Sequence, residues 1–300
     1  MIQVGIFTGI FDYTLEERAK RIRSFGFNTV QVDELIGLPP SEITTSLCKK
    51  IRNTYRDYNL PICVISGYTN LVSPVAEKRK VGIEKLSRIL EVAWELGTPY
   101  VATETGTFNT ESDWLDDEKN HTEEGFKEFL SVIEKVVKVA EKNGSILCLE
   151  TYVKNVIGSV KECKRVFSEI NSPNLKLLLD PTNYFDTHNI NKMKETLDEI
   201  FENLEDKIVI AHAKDVKYTE ESGIKMEKKK MGVESEGLSF RGTGNIELPA
   251  PGLGQLDYPY YLKKLVRVSP NIPIIIEHLT EDDVPRAKKF VDEKLKEVGA

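Results

Sequence analysis

The sequence predicts a closed barrel of eight parallel β-strands, each followed by a helix, a (βα)8 architecture of the α/β class. Three observations predict it. Short β-branched and aliphatic runs alternate with segments of helical periodicity, which is the rhythm of a parallel sheet. Eight such units use up the 300 residues with no linker left over, so one domain over 1–300 is expected. No Gly-rich turn follows the first strand, as an open dinucleotide-binding sheet requires. Closing the sheet also removes both of its edges.

Each unit has its own signals. The first strand-like run is 2–7; Thr14, with Glu17 three residues on, has capping-box spacing and opens a helix that closes near Gly26. The second run is 29–33, after which Ile43, Leu47, Ile51 and Tyr55 recur every four residues as one buried stripe. The third, 62–66, leads to a long helix ending at Gly97. The fourth, 100–104, is followed by a helix from Thr122 to Asn143-Gly144. The fifth, 146–150, precedes a helix capped by Ser159 and Glu162. The sixth, 175–180, precedes a helix that buries Met193, Leu197, Ile200 and Leu204. The seventh is 208–212, the eighth 274–277, and a last helix ends the sequence.

Two connections exceed simple turns. One is Thr105 to His121, containing Trp114; the other follows the seventh strand and includes the run Lys225-Met226-Glu227-Lys228-Lys229-Lys230. Both leave the carboxyl ends of strands, where barrels of this kind build their sites. Arg241-Gly242-Thr243-Gly244 and Gly252-Leu253-Gly254 also lie in the second connection; they mark tight turns and leave phosphate binding open.

Composition narrows the partners. Acidic residues outnumber basic ones, 48 to 41, for a net charge of −7, which argues against nucleic acid or an anionic membrane surface. No apolar run approaches the roughly 20 residues that span a bilayer. Cys48, Cys63, Cys148 and Cys163 stand far apart, which suits free thiols in a reducing compartment. The first residues enter a strand without a secretion-signal pattern, and a cytoplasmic protein is expected. Homo-oligomerisation is open.

Four successive strands end in a group able to ligate a metal: Glu150, Asp180, His212 and Glu277. Any one of these acids alone reads equally well as a helix cap, and a lone histidine as a satisfied core residue. At equivalent ends of adjacent staves, however, all four reach one mouth. Three carboxylates there repel one another, and a divalent cation removes the conflict. Oxygen-rich ligation with one nitrogen suits Mn2+ best, with Mg2+, Co2+ or Zn2+ as alternatives, and leaves positions for substrate oxygens. Lys214 shares the inward parity of His212 and suits a substrate oxygen, or else a salt bridge. Glu104 ends the fourth strand and is expected at the same mouth, and Tyr68 and Trp114 are candidates for an apolar wall of a substrate pocket there.

These residues carry a family resemblance. The segments Ile65-Ser66-Gly67-Tyr68-Thr69-Asn70-Leu71, Thr103-Glu104-Thr105-Gly106-Thr107, Leu149-Glu150, Leu179-Asp180-Pro181-Thr182-Asn183, His212-Ala213-Lys214-Asp215, Gly252-Leu253-Gly254-Gln255-Leu256-Asp257-Tyr258 and Ile276-Glu277 resemble, in order and over nearly the full length, the xylose isomerase-like TIM barrel family of sugar phosphate isomerases and epimerases. The resemblance implies that Glu150, Asp180, His212 and Glu277 bind one divalent metal, and that the two glutamates double as catalytic acid/base groups. It implies an isomerase or epimerase of a small sugar or cyclitol, acting through an enediolate that the cation stabilises. Asn183 stands where sugar epimerases of the family have a histidine, at a substrate-binding position. The alternative is a lyase or dehydratase of a keto-cyclitol, or a deglycosylating subunit, on the same metal. Such relatives often have a histidine where this chain has Tyr152, which argues mildly against it. Abasic-site endonucleases share the barrel but use many histidines on a zinc cluster; here there are only His121, His188, His212 and His278. A barrel that binds a sugar without turning it over is the remaining reading.

Overall fold

The structure, a computed structural model, describes residues 2–220 and 245–300. The staves are β1 (Gln3–Phe7), β2 (Thr29–Val32), β3 (Ile62–Ser66), β4 (Tyr100–Glu104), β5 (Ile146–Glu150), β6 (Leu175–Leu179) and β7 (Ile208–Ala213). A short antiparallel ribbon, β8 (Lys217–Tyr218) with β9 (Ile246–Glu247), then intervenes, so the eighth stave is β10 (Pro273–Ile276). All eight staves run parallel, and β10 pairs with both β7 and β1 to close the barrel. Outside lie α1 (Leu15–Ser24), α2 (Thr45–Asp57), α3 (Ala76–Val92), α4 (Glu123–Asn143), α5 (Val160–Ile170), α6 (Met193–Leu204), α7 (Tyr258–Val268) and α8 (Val284–Glu297). Among the described residues no helix is long and apolar enough to cross a membrane.

The caps explain where the helices start. Ser159 accepts from the Glu162 amide at 3.2 Å and Glu162 Oε2 accepts from the Ser159 amide at 3.1 Å, a reciprocal capping box. At α1 only half of that motif forms: Thr14 accepts from the Glu17 amide, but its hydroxyl donates to Glu17 Oε2 at 2.6 Å. Gly144 closes α4 at φ 65°, where a side chain would be strained. Two expected stripes shift. Ile43 is buried but precedes α2, because Pro39-Pro40 starts a separate 3-10 turn and Thr44 caps the helix; the buried face is Cys48, Ile51 and Tyr55. On α6, Met193 is only partly buried, and Thr196 and Phe201 join Leu197, Ile200 and Leu204.

A pleated strand turns every second residue inward. Val64, Ala102, Cys148, Leu178, Ile210 and Ile275 accordingly pack together as a separate core inside the barrel. Two residues further along the same strands come Ser66, Glu104, Glu150, Asp180, His212 and Glu277. The apolar layer is thus a floor, and the layer above it at the strands' carboxyl ends is polar.

The connection from Thr105 to His121 is held in place, not loose. Asn70 Nδ2 donates to the Thr107 carbonyl and to Asp113 Oδ1, both at 2.8 Å, while Asn70 Oδ1 accepts from the Thr107 amide at 3.1 Å. Beyond β7, the buried Asp215 carboxylate accepts from the amides of Val216, Gly252 and Leu256, each at 2.9 Å, and pins the 252–256 segment to the barrel end. Asp215→Ala strands those amides and is expected to cost roughly 1–3 kcal/mol, read as a lower urea midpoint at unchanged slope. The lysine-rich run at 225–230 and the turn at 241–244 lie outside the described residues.

Candidate metal centre

Glu150 is the last residue of β5, Asp180 and Glu277 directly follow β6 and β10, and His212 is next to last in β7. These four staves are neighbours in the barrel. One ligand atom from each of the four residues lies within 4.8 Å of all the others, and all four side chains are buried. His212 Nδ1 is 2.7 Å from Glu277 Oε1, 3.4 Å from Glu150 Oε1 and 3.7 Å from Asp180 Oδ2. Lys214 Nζ lies 2.6 Å from Asp180 Oδ2 and 2.7 Å from Glu277 Oε1.

Three of those atoms, Asp180 Oδ2, His212 Nδ1 and Glu277 Oε1, are fully buried yet make no aligned hydrogen bond among the described residues. Buried ligand atoms this close, with no aligned hydrogen bond among them, leave coordinating capacity unused. That is the arrangement a cation requires. The donor set of three carboxylate oxygens and one imidazole suits a hard or borderline divalent ion. With the Lys214 ammonium beside them, three carboxylates and a doubly charged ion sum to neutrality.

The surrounding groups orient the ligands. Asp180 Oδ1 accepts from the Thr182 amide (2.9 Å) and hydroxyl (2.7 Å), which turns Oδ2 toward the centre. Glu150 receives the Asn183 amide on Oε1 at 2.9 Å and the Tyr68 hydroxyl on Oε2 at 2.6 Å. Tyr68 therefore enters the site through its hydroxyl, where only an apolar wall was expected. Gln31 Oε1 meets His212 Nε2 at 2.9 Å. Gln31 was not anticipated from the sequence, though an amide in the fully buried strand Thr29–Val32 is the signal that could have found it. His278, directly after Glu277, holds φ 60°, and its Nδ1 lies 3.1 Å from the Leu248 carbonyl.

The other expected residues are distributed as follows. The Glu104 Cα stands opposite that of Glu150 in the β4–β5 register, at the same mouth. Trp114 stands edge-on to Tyr152, ring centres 6.4 Å apart. Tyr152, Lys154, Asp116, Phe185 and Leu248 line a cleft of about 430 Å³, whose walls begin two residues beyond Glu150.

Charge follows from this packing. Burial alone would raise the Glu277 pKa, but the His212 and Lys214 charges hold it down at about 2, and Asp180 lies well below the usual carboxylate range for the same reasons. Burial alone would lower the His212 pKa, yet Glu277 and Glu150 keep it well above the ordinary value. Glu104 goes the other way: burial, then the Glu150 charge, push it well above the carboxylate range. A metal on Nδ1 must displace the His212 proton. Divalent-cation binding is therefore expected to release about one proton and to weaken as the pH falls, which titration calorimetry in buffers of different ionisation enthalpy would read.

A profile of the xylose isomerase-like TIM barrel family matches residues 19–295. The chain belongs to that family. No curated protein matches it. Among solved structures, a D-tagatose 3-epimerase-like protein superposes with a TM-score of 0.70 at 17% identity, covering 99% of this chain and 98% of the other. An L-ribulose 3-epimerase gives 0.69 at 15% identity, covering 100% and 96%. A xylose isomerase-like TIM barrel protein from Mycobacterium smegmatis, in complex with magnesium, gives 0.68 at 15%, covering 99% and 96%. At such identities the likeness is one of fold.

Proposed function

We propose that this barrel, acting as one catalytic domain over 1–300, is a divalent-metal-dependent isomerase or epimerase of a small sugar or cyclitol. The observation that carries the reading is the convergence of Glu150, Asp180, His212 and Glu277 on one buried point beside Lys214. The epimerase names among the structural neighbours favour the same reaction class. When bound, the cation (Mn2+ is the ion proposed) supplies Lewis acidity to substrate oxygens and to the negative charge that develops on deprotonation.

This chain's own residues do the rest. Glu150 and Glu277 stand on β5 and β10, with β6 and β7 between them, so they approach a substrate from different sides. Glu277 is ionised down to about pH 2 and can take a proton from the carbon beside a carbonyl. Glu150 first acquires a proton from solvent and returns it, to the opposite face for epimerisation or to the adjacent carbon for aldose–ketose exchange, and the proton left on Glu277 exchanges with solvent to reset the pair. The Lys214 ammonium, kept charged by Asp180 and Glu277 despite its burial, donates to a substrate oxygen without surrendering its proton. Glu104, its pKa raised by burial and the Glu150 charge, adds a further polar group at that mouth. Asn183 holds Glu150 and lies where a hydroxyl would bind, while Tyr152, with Trp114 edge-on against it, lines the cleft that receives the rest of the ring.

The test is a panel of ketoses, aldoses and inososes incubated in deuterium oxide with Mn2+. Deuterium entering the carbon next to the carbonyl is the expected result. Water loss with an enone chromophore would replace the reading by a lyase, and an inert panel would count against it.

A further inference from the structure

Gln31 is fully buried on β2, in the inward-facing layer that also holds His212. Its side chain makes three hydrogen bonds. Nε2 donates to Ser66 Oγ at 3.1 Å and to the Tyr68 hydroxyl oxygen at 3.0 Å, while Oε1 meets His212 Nε2 at 2.9 Å. Tyr68 in turn donates to Glu150 Oε2 at 2.6 Å. A continuous path therefore runs from one candidate ligand to another: Glu150, Tyr68, Gln31, His212.

Donor and acceptor rules give this path one direction. An ionised carboxylate only accepts, so the single Tyr68 proton points at Glu150. The Tyr68 oxygen is left to accept, which puts the NH2 of the Gln31 amide on its side and the amide carbonyl on the side of His212. A carbonyl only accepts, so His212 Nε2 carries a proton. Nδ1 is then the nitrogen that faces the carboxylate-lined point and can give up its proton to a cation there. Turning the amide over would set its carbonyl against a Tyr68 oxygen with no proton left to give.

We propose that Gln31 and Tyr68 are positioning residues forming a one-way relay, through which the Glu150 carboxylate fixes which nitrogen of His212 faces the cation. Two ligands of one centre, on β5 and β7, are coupled by groups that never touch it. The inference rests on the metal reading above for its function, but its hydrogen-bond content is separate.

Two measurements test it. The first is Mn2+ affinity by titration calorimetry for Gln31→Met, Tyr68→Phe and the double variant. Each single change is expected to weaken binding about 10- to 100-fold, the usual scale for partners of a ligating histidine. Because both break one chain, the double variant is expected to lose little more than the weaker single variant. Multiplying losses, or wild-type affinity in both single variants, would overturn the relay. Tyr68→Phe removes one oxygen and keeps the ring, so it serves if Gln31→Met does not fold.

The second is nitrogen-15 NMR of the imidazoles, assignable with only four histidines in the chain. In wild type loaded with Zn2+, His212 Nε2 is expected to carry the proton and Nδ1 none; a bare Nε2 would overturn the proposal. If wild type bound no divalent ion at all, the metal reading would fail, while a His212 Nε2 resonance that moves in both Gln31→Met and Tyr68→Phe would still report on the relay, and one that moves in neither would overturn it.

Discussion

Asp180→Ala is expected to abolish stoichiometric divalent-metal binding, with affinity falling by more than about 10²-fold. The change deletes Oδ2, one of the four convergent ligand atoms and the nearest partner of Lys214 Nζ at 2.6 Å. It also acts on stability. Lys214 is about 5% exposed and keeps Glu277 at 2.7 Å, so breaking one half of this buried pairing is expected to cost about 3 kcal/mol, the low end for such a loss. Asp180→Asn keeps an acceptor for the Thr182 amide and hydroxyl, and so isolates the loss of charge from the loss of those local hydrogen bonds. Elemental analysis of gently purified protein, with His212→Ala alongside, is the measurement. Unchanged metal content in both would mean that the four residues do not form the site.

Glu277→Gln is expected to slow proton transfer by about 10²- to 10⁴-fold, the usual contribution of a positioned general base. The substitution is nearly isosteric, and its amide oxygen can still face the centre, so metal content measured in parallel distinguishes lost chemistry from lost metal. The two-sided arrangement adds a sharper signature. With Glu150 and Glu277 on staves separated by β6 and β7, each serves one face of the substrate. Glu277→Gln should therefore stop solvent exchange from one epimer and spare it from the other, with Glu150→Gln showing the reverse. Equal loss from both epimers would assign the proton traffic to a single group. Persistent wild-type exchange in Glu277→Gln would remove that residue from the chemistry.

Much of this was legible in the chain as written, for a physical reason. Strand ends, caps and the inward period of two are local properties, so the run Ile146–Glu150 and the Ser159/Glu162 box could be read within a few residues. The four ligands were legible because each ends such a local run, and a parallel barrel brings equivalent ends to one rim. The α2 stripe misled because a four-residue repeat carries no mark of where the helix begins; Pro39, Pro40 and Thr44 decided that.

What the sequence by itself determined, then, is the alternation of strand and helix and the chemical identity of the groups at the strand tips. Only the tertiary structure decided their relations. It set Gln31 against His212 across 181 residues of chain, and Tyr68 against Glu150 across 82. It also pushed the pKa of Glu104 up and that of Glu277 down, though the two glutamates are alike in sequence. The cause is that donor–acceptor direction and pKa depend on what burial places within a few ångströms, and those neighbours come from other strands.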